Sequence, residues 1–181
     1  MKEDLKETIA VPEGVAVNIE DSMLKIKGSE GDVERMFDHP RIKMDVKDGS
    51  LILSVSKATK REKKMLKTYT AHINNLLKGV KEKFLYKLKI CSSHFPMNVS
   101  ISNNKFVVKN FLGEKSPREL IVKPGVDVKI NGDIIEVSSC AKEKAGNVAS
   151  DIELLTKKTG KDVRIFQDGI YIIDKGGKLI S

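Results

Sequence analysis

Cysteine is scarce in this chain: Cys91 and Cys140 are the only two in 181 residues. Two such residues make no disulfide framework, and in a reducing compartment they are expected to stay free thiols. Histidine is nearly as rare, with three residues. Cys91 and His94 stand at a metal-compatible spacing, but a zinc site needs about four ligands at set spacings and no second pair lies nearby. The pair is read instead as a core cysteine and a strand-end histidine, so neither metal nor cofactor is expected. No apolar run is long enough to cross a bilayer as a helix, which excludes that kind of membrane protein. The opening Met1-Lys2-Glu3-Asp4-Leu5 carries acid where a secretory leader carries base, so the expectation is a cytoplasmic protein. Aromatic residues are few and follow no RNP-like pattern, which argues against base stacking on single strands as the main mode of action. No glycine-rich phosphate loop occurs. Lys175-Gly176-Gly177-Lys178 lacks the strand and helix such a loop requires and reads as a tail. Cys140 falls at a helix start, where a thiol can become reactive, yet no base accompanies it. Nowhere do an acid, a base, a nucleophile and an orienting group come together, so no enzyme and no small-molecule substrate are expected.

What the chain does contain is a repeated pattern. Between Asp127 and Lys161 an alternating run meets Asn131-Gly132-Asp133, and a second alternating run follows. Asn-Gly between apolar runs predicts a hairpin with a type I′ turn, because both central residues of that turn need positive φ. Ala145, Val148, Ala149, Ile152 and Leu155 then recur at helical spacing. Gly160 is expected to close this helix, with Lys157 and Lys158 in its last turn near the negative end of the dipole. The same order appears roughly 80 residues earlier. Met44 and Val46 alternate, Asp48-Gly49 turns, and Leu51, Leu53 and Val55 alternate again. Thr59 and Glu62 have the spacing of a capping box. A stripe of Met65, Leu66, Tyr69, Ile73, Leu76 and Leu77 leads to Gly79 as the expected stop. Further upstream, Val17-Asn18-Ile19, a turn at Asp21-Ser22, Leu24 and Ile26 match Val99-Ser100-Ile101, a turn at Asn103-Asn104, Phe106 and Val108. Matched hairpins, helices and glycines in one order indicate a tandem duplication. The predicted fold class is α+β: one unit, an antiparallel sheet with a single helix packed on one face, present twice. Domains are expected at residues 1–80 and 81–181. Residues 1–8 are expected to be frayed, and Asp168-Gly169 is expected to turn between two strands.

Charge is segregated. The formal net charge is +8, and the stretch from Lys60 to Ile90 has ten basic residues against two acids. The remainder is therefore neutral on balance. A solvated helix face is the ordinary reading of such a block, but confinement to one helix and the strand after it points to a polyanion. With stacking motifs absent, structured RNA held through its phosphates is the physical reading, since A-form RNA is recognised by shape, phosphates and 2′-hydroxyls. Two groups of cations qualify. Lys60, Arg61, Lys63, Lys64 and Lys67 cluster at a helix start, where composition alone would place the site. Lys87, Lys89, Lys109, Lys115 and Arg118 lie on strands and loops, where positioned contacts are usually found.

Several stretches carry a resemblance: HINNLLKGV (72–80), FLYK (84–87), HFPMNV (94–99), NFLGEK (110–115), GDIIEV (132–137) and DGIYIIDKG (168–176). In this order and spacing they resemble the universal large-subunit ribosomal protein number six family, in its archaeal and eukaryotic form, over nearly the whole length. The resemblance implies a duplicated α/β unit, which agrees with the repeat. It also implies binding of large-subunit rRNA near the sarcin–ricin loop and the stalk base, beside neighbouring large-subunit proteins, where translation factors act. Direct rRNA contact is then expected from Lys87, Lys89, Lys109, Asn110, Lys115, Arg118, Arg164, Tyr171 and Lys175 in the second domain. Lys60, Arg61, Lys63, Lys64 and Lys67 would add long-range attraction. Bacterial members carry a glycine- and lysine-rich segment where this chain has Arg164 to Tyr171, so contacts of that segment do not transfer. A non-ribosomal structured-RNA binder and a protein-interaction module remain the alternatives.

Overall fold

The computed structural model describes residues 3–47, 49–162 and 164–180. The chain divides into two compact units, Met1–Lys83 and Phe84–Ser181. The first holds β1 (Glu3–Ala10), β2 (Ala16–Glu20), β3 (Met23–Lys27), β4 (Asp32–Met36), β5 (Lys43–Lys47), β6 (Ser50–Ala58) and α1 (Lys60–Lys81). The second holds β7 (Phe84–Cys91), β8 (Asn98–Ser102), β9 (Lys105–Lys109), β10 (Arg118–Ile121), β11 (Asp127–Asn131), β12 (Ile134–Ser139), α2 (Lys142–Leu155) and β13 (Gly169–Lys175). Every one of these strands pairs antiparallel. In the first unit the sheet orders are β1-β6-β5 and β2-β3-β4; in the second they are β11-β12-β7-β13 and β10-β9-β8. Taken strand by strand, β1 to β6 become β7 to β12, and β13 is the addition. The architecture is thus the expected duplicated α+β unit, with the strands of each copy shared between two sheets.

The core positions repeat with the strands. Leu24 and Ile26 on β3 are fully buried, as are Phe106 and Val108 at the same places on β9; Leu51 and Leu53 on β6 match Ile135 and Val137 on β12. Strand alternation sends these side chains to one face. There they meet Leu66, Ile73 and Val80 of α1 in one core, and Ala145, Val148, Ala149 and Ile152 of α2 in the other.

Local details depart from the sequence expectations, each for a physical reason. Residues 3–8 are not frayed, because they form β1 and pair with β6 from Glu3↔Ala58 to Ala10↔Ser50. The strand is polar because it lies at a sheet edge, where charge is tolerated. Its Ile9 is buried in the core, and Lys67 holds its Glu7 at 2.6 Å. The β11–β12 turn is Gly132-Asp133, one residue later than expected, since Asn131 already pairs with Ile134. Only Gly132 has positive φ, +60°, as in a loop with glycine first. A one-residue slip would turn Ile135 and Val137 out of the core. In the matching β5–β6 loop Gly49 has φ +69°, and Asp48, the other half of that expected turn, lies outside the described residues. The turns at Asp21-Ser22 and Asn103-Asn104 both have left-handed residues, a conformational match between the copies.

The helix ends also differ. Gly79 does not stop α1. It is buried inside the helix, which runs on to Lys81. The turn from Gly28 to Gly31 sets that end by docking on it: Glu30 N–H donates to the Val80 carbonyl at 3.1 Å. The fit is close, since a Cβ at Gly28 would stand 2.6 Å from the Val80 oxygen. Thr59 and Glu62 do form the capping box. The Glu62 carboxyl is held down to about 2, first by the Thr59 hydroxyl and then by the Thr59 backbone N–H. Helix α2 ends at Leu155, short of Gly160, so Lys157 and Lys158 stand beyond it. Its end is fixed by Thr156, whose hydroxyl accepts from Ile170 N–H at 2.9 Å and donates to the Glu153 carbonyl at 3.2 Å.

Candidate nucleic-acid interface

The NFLGEK stretch forms a 3-10 turn, Phe111–Gly113, directly after β9. Asn110, Leu112 and Gly113 all have positive φ, +60°, +48° and +77°. Leu112 bears a steric cost there that glycine would not. The surroundings enforce the conformation. Asn110 donates from Nδ2 to the Pro96 carbonyl at 3.1 Å, and the Phe111 ring is fully buried. The Arg118 guanidinium lies 4.4 Å from that ring's centroid. Arg118 also donates from Nε and Nη2 to the two Glu114 oxygens at 2.8 and 2.7 Å, and from Nη1 to the Leu155 carbonyl at 2.6 Å. Lys158 adds a second cation to Glu114 at 3.0 Å. The Arg118 and Lys158 hydrogen bonds hold the Glu114 carboxyl down to about 2. Lys109 and Lys115 flank this braced turn and are both exposed.

The sheet face turned away from α2 carries the next group. Across it Lys129, Glu136 and Lys87 stand in register on β11, β12 and β7. Lys87 is half-buried and lies 3.9 Å from Glu136. This row is a charge-alternating ladder of the kind that stabilises sheets. One row along, Lys89 is flanked by Ile134 and Tyr171 and has no acid beside it in the register. Sequence alone does not single out Lys129. Its alternation within β11 and the hairpin to β12 are visible there, but nothing shows that β12 adjoins β7, the pairing that sets Lys129 on the face of Lys87.

Residues 164–168 form no strand, correcting the expected turn at Asp168-Gly169. Asp168 is instead a buried clasp. It accepts from Ser93 N–H at 2.7 Å, His94 N–H at 2.9 Å, Ser93 Oγ at 3.0 Å and His94 Nδ1 at 2.5 Å. Burial alone would raise its carboxyl, but the His94 and Ser93 donors outweigh that and hold it well below the usual carboxylate range. The grouping of Ser, His and Asp is not a catalytic relay. The serine and the aspartate both address Nδ1, whereas a relay needs one partner on each ring nitrogen. With Nδ1 committed, His94 also offers no metal pair with Cys91 through that atom. Among the described residues no group of three His, Cys, Asp or Glu side chains is placed to hold a metal.

From the clasp β13 begins. Gly169 is buried, and a Cβ there would lie 3.2 Å from Tyr171 Oη, so the glycine lets the tyrosine ring lie along the backbone. Lys175 is exposed at the other end of the strand. Arg164 is 88% exposed and donates to Asp162 at 2.8 Å, an open pair of the weak kind. In the first unit, Lys60, Arg61, Lys63, Lys64 and Lys67 all stand exposed on the opening turns of α1. Cations are disfavoured at that positive end of the dipole. Of the five, Lys67 has an ion pair, to Glu7.

Comparison with known proteins places these features in context. The model of the family described as ribosomal protein L6 matches the chain twice, over residues 11–83 and 95–169. The chain is 48% identical over 184 residues to the large ribosomal subunit protein uL6 of Nanoarchaeum equitans, covering 97% of this chain and 96% of that protein. Identity to the uL6 proteins of Methanosarcina mazei and Methanococcus vannielii is 41% and 40%, each over 97% of this chain.

Proposed function

Since the chain belongs to the ribosomal protein L6 family, we propose that it works as a structural constituent of the large ribosomal subunit, not an enzyme, and binds large-subunit rRNA near the sarcin–ricin loop and stalk base. There it supports the binding of translation factors, beside neighbouring large-subunit proteins. The observation that carries the rRNA reading is the braced turn between Lys109 and Lys115. A backbone held by Phe111, Arg118 and Glu114 fixes the points from which two exposed lysines project. A backbone already ordered before binding leaves only the lysine side chains to be ordered when they meet phosphates. Asn110, Lys89, Tyr171, Lys175 and Arg164 extend the interface. Arg118 serves it indirectly, because its guanidinium donates inward and positions the turn. Lys87 sits in the charge ladder and contributes least. The basic start of α1 attracts the polyanion at longer range.

The experiment is co-sedimentation with large subunits of the source organism after a high-salt wash, followed by cross-linking from a photoreactive group at position 115. Retention with cross-links to rRNA beside the sarcin–ricin loop is expected. Release into the supernatant, or cross-links to remote rRNA alone, overturns the placement.

A further inference from the structure

A cleft of about 310 Å³ opens within the second unit, between the end of α2, the loop after it and β13. Its lining combines two chemistries. Leu154, Phe166, Ile170 and Tyr171 are apolar or aromatic, while Lys157 and Lys161 bring positive charge. Leu154 is 56% exposed and Tyr171 38%, so folding leaves this apolar surface facing water. Phe166 is not a free platform: His94 stacks on its ring at 4.8 Å, and the Lys161 ammonium lies 4.3 Å from its centroid. Tyr171 differs: its ring lies against Gly169, no aromatic ring stacks on it among the described residues, and it is exposed.

We infer that this cleft receives a single nucleotide turned out of an RNA helix, its base on Tyr171 and Leu154 and its phosphate at Lys157 and Lys161. Size and chemistry support this together. The volume is at the small end of the roughly 300–1,000 Å³ of small-molecule sites, which suits one nucleoside and not a stacked run. A bare phosphate would leave Leu154 and Tyr171 unmatched, and an apolar side chain would leave the lysines unmatched. A nucleotide meets both, through stacking and point-charge recognition. Orientation follows from Glu153, whose Oε1 accepts from Ile172 N–H at 3.3 Å and which forms no ion pair among the described residues. Glu153 lines the same cleft and repels a phosphate, whereas Asp168 has its oxygens taken by Ser93 and His94. The phosphate therefore sits away from Glu153, and the base end approaches it. The sequence hides the site because helical periodicity puts Lys157 and Lys158 in the last turn of α2 and not in a loop beyond it.

The inference rests on the RNA-binding reading, and the test separates the two. Adenosine monophosphate is titrated into the full chain and followed by amide chemical shifts, with ribose 5-phosphate and inorganic phosphate alongside. Shifts confined to the cleft, seen with the nucleotide and absent with the other two, are expected. Tyr171→Ala should weaken binding roughly 5- to 150-fold, in line with the loss of one stacked base. Leu154→Glu alters an exposed position and should have a similar effect without touching the core. In a second arm, an RNA hairpin with one bulged adenosine should bind about tenfold tighter than its fully paired or abasic counterpart. Equal binding of all three, with normal salt dependence, leaves the RNA reading standing and overturns the cleft. Binding of free nucleotide without preference for the bulge also overturns it, in favour of a soluble nucleotide as ligand. Failure of every hairpin to bind overturns both.

Discussion

Arg118 and Glu114 show how a charged pair can organise a loop without facing a ligand. Three guanidinium nitrogens donate to Glu114 and the Leu155 carbonyl, and the plane caps Phe111. Removing either partner leaves partly buried donors or acceptors unmet, which is costlier than the pair is favourable. The pH consequence follows from the direction of the shift. The Glu114 carboxyl falls from 4.5 to about 2 on folding, so the folded state binds its proton less readily than the unfolded state. Its contribution is present above the unfolded value and is lost as pH falls from about 4.5 toward 2. Glu114→Gln should destabilise the chain by about 1–3 kcal/mol at neutral pH, with the lower end favoured because the group is partly exposed to solvent. It should also flatten the stability profile across that acidic window. Urea unfolding of both proteins from about pH 2 to 7 measures this; parallel profiles would mean the pair does not brace the turn.

At the scale of elements, the helices stabilise their units by burying one stripe each. Ile152 is fully buried in the core of its own unit. Ile152→Ala should cost about 2–5 kcal/mol, as for other truncations that leave a core cavity. Thermal and urea unfolding check this, and a cost below about 1 kcal/mol would show that α2 does not anchor the core. Much of this level is legible in the sequence. Alternation in β5, β6, β11 and β12, the helical stripes and the Thr59 capping box are local signals, and they survive into the structure. What is not legible depends on partners distant in sequence. β1 reads as polar because it sits on an edge, although Tyr86, Leu88 and Ile90 mark its counterpart β7 as a strand. Carrying the repeat through to the first strand would find it. Gly79 and Gly160 look like helix stops, but docking of the Gly28–Gly31 turn and the Thr156–Ile170 hydrogen bond decide the ends. The site is half legible for the same reason. Lys115 within the NFLGEK stretch and Lys109 just before it can be named as candidates from the sequence, while the inward turn of Arg118, the ladder around Lys87 and the Asp168 clasp emerge only with the fold.

For the whole molecule, charge abundance and charge placement point to different units. The first unit carries the densest basic run, on the exposed start of α1. Long lysine side chains on a helix surface are mobile, and their attraction is screened over about 8–10 Å at ordinary salt. The second unit has no basic run of that density, but Lys109 and Lys115 project from a turn held by the Arg118 and Glu114 bonds. Attraction at a distance accelerates encounter, whereas binding to phosphates releases counterions and sets the slope of log affinity against log salt. Removing one phosphate-binding cation should flatten that slope by roughly 0.7–0.9, the range spanning single strands and B-form DNA. Lys109→Ala combined with Lys115→Ala should therefore reduce the slope for rRNA by roughly 1.4–1.8. Lys63→Ala combined with Lys64→Ala should slow association and leave the slope nearly unchanged. Both quantities come from one set of binding isotherms and stopped-flow traces between about 50 and 200 mM salt. If the helix pair alone changes the slope, the rRNA-binding cations belong to the first unit, and the braced turn of the second serves stability and not binding.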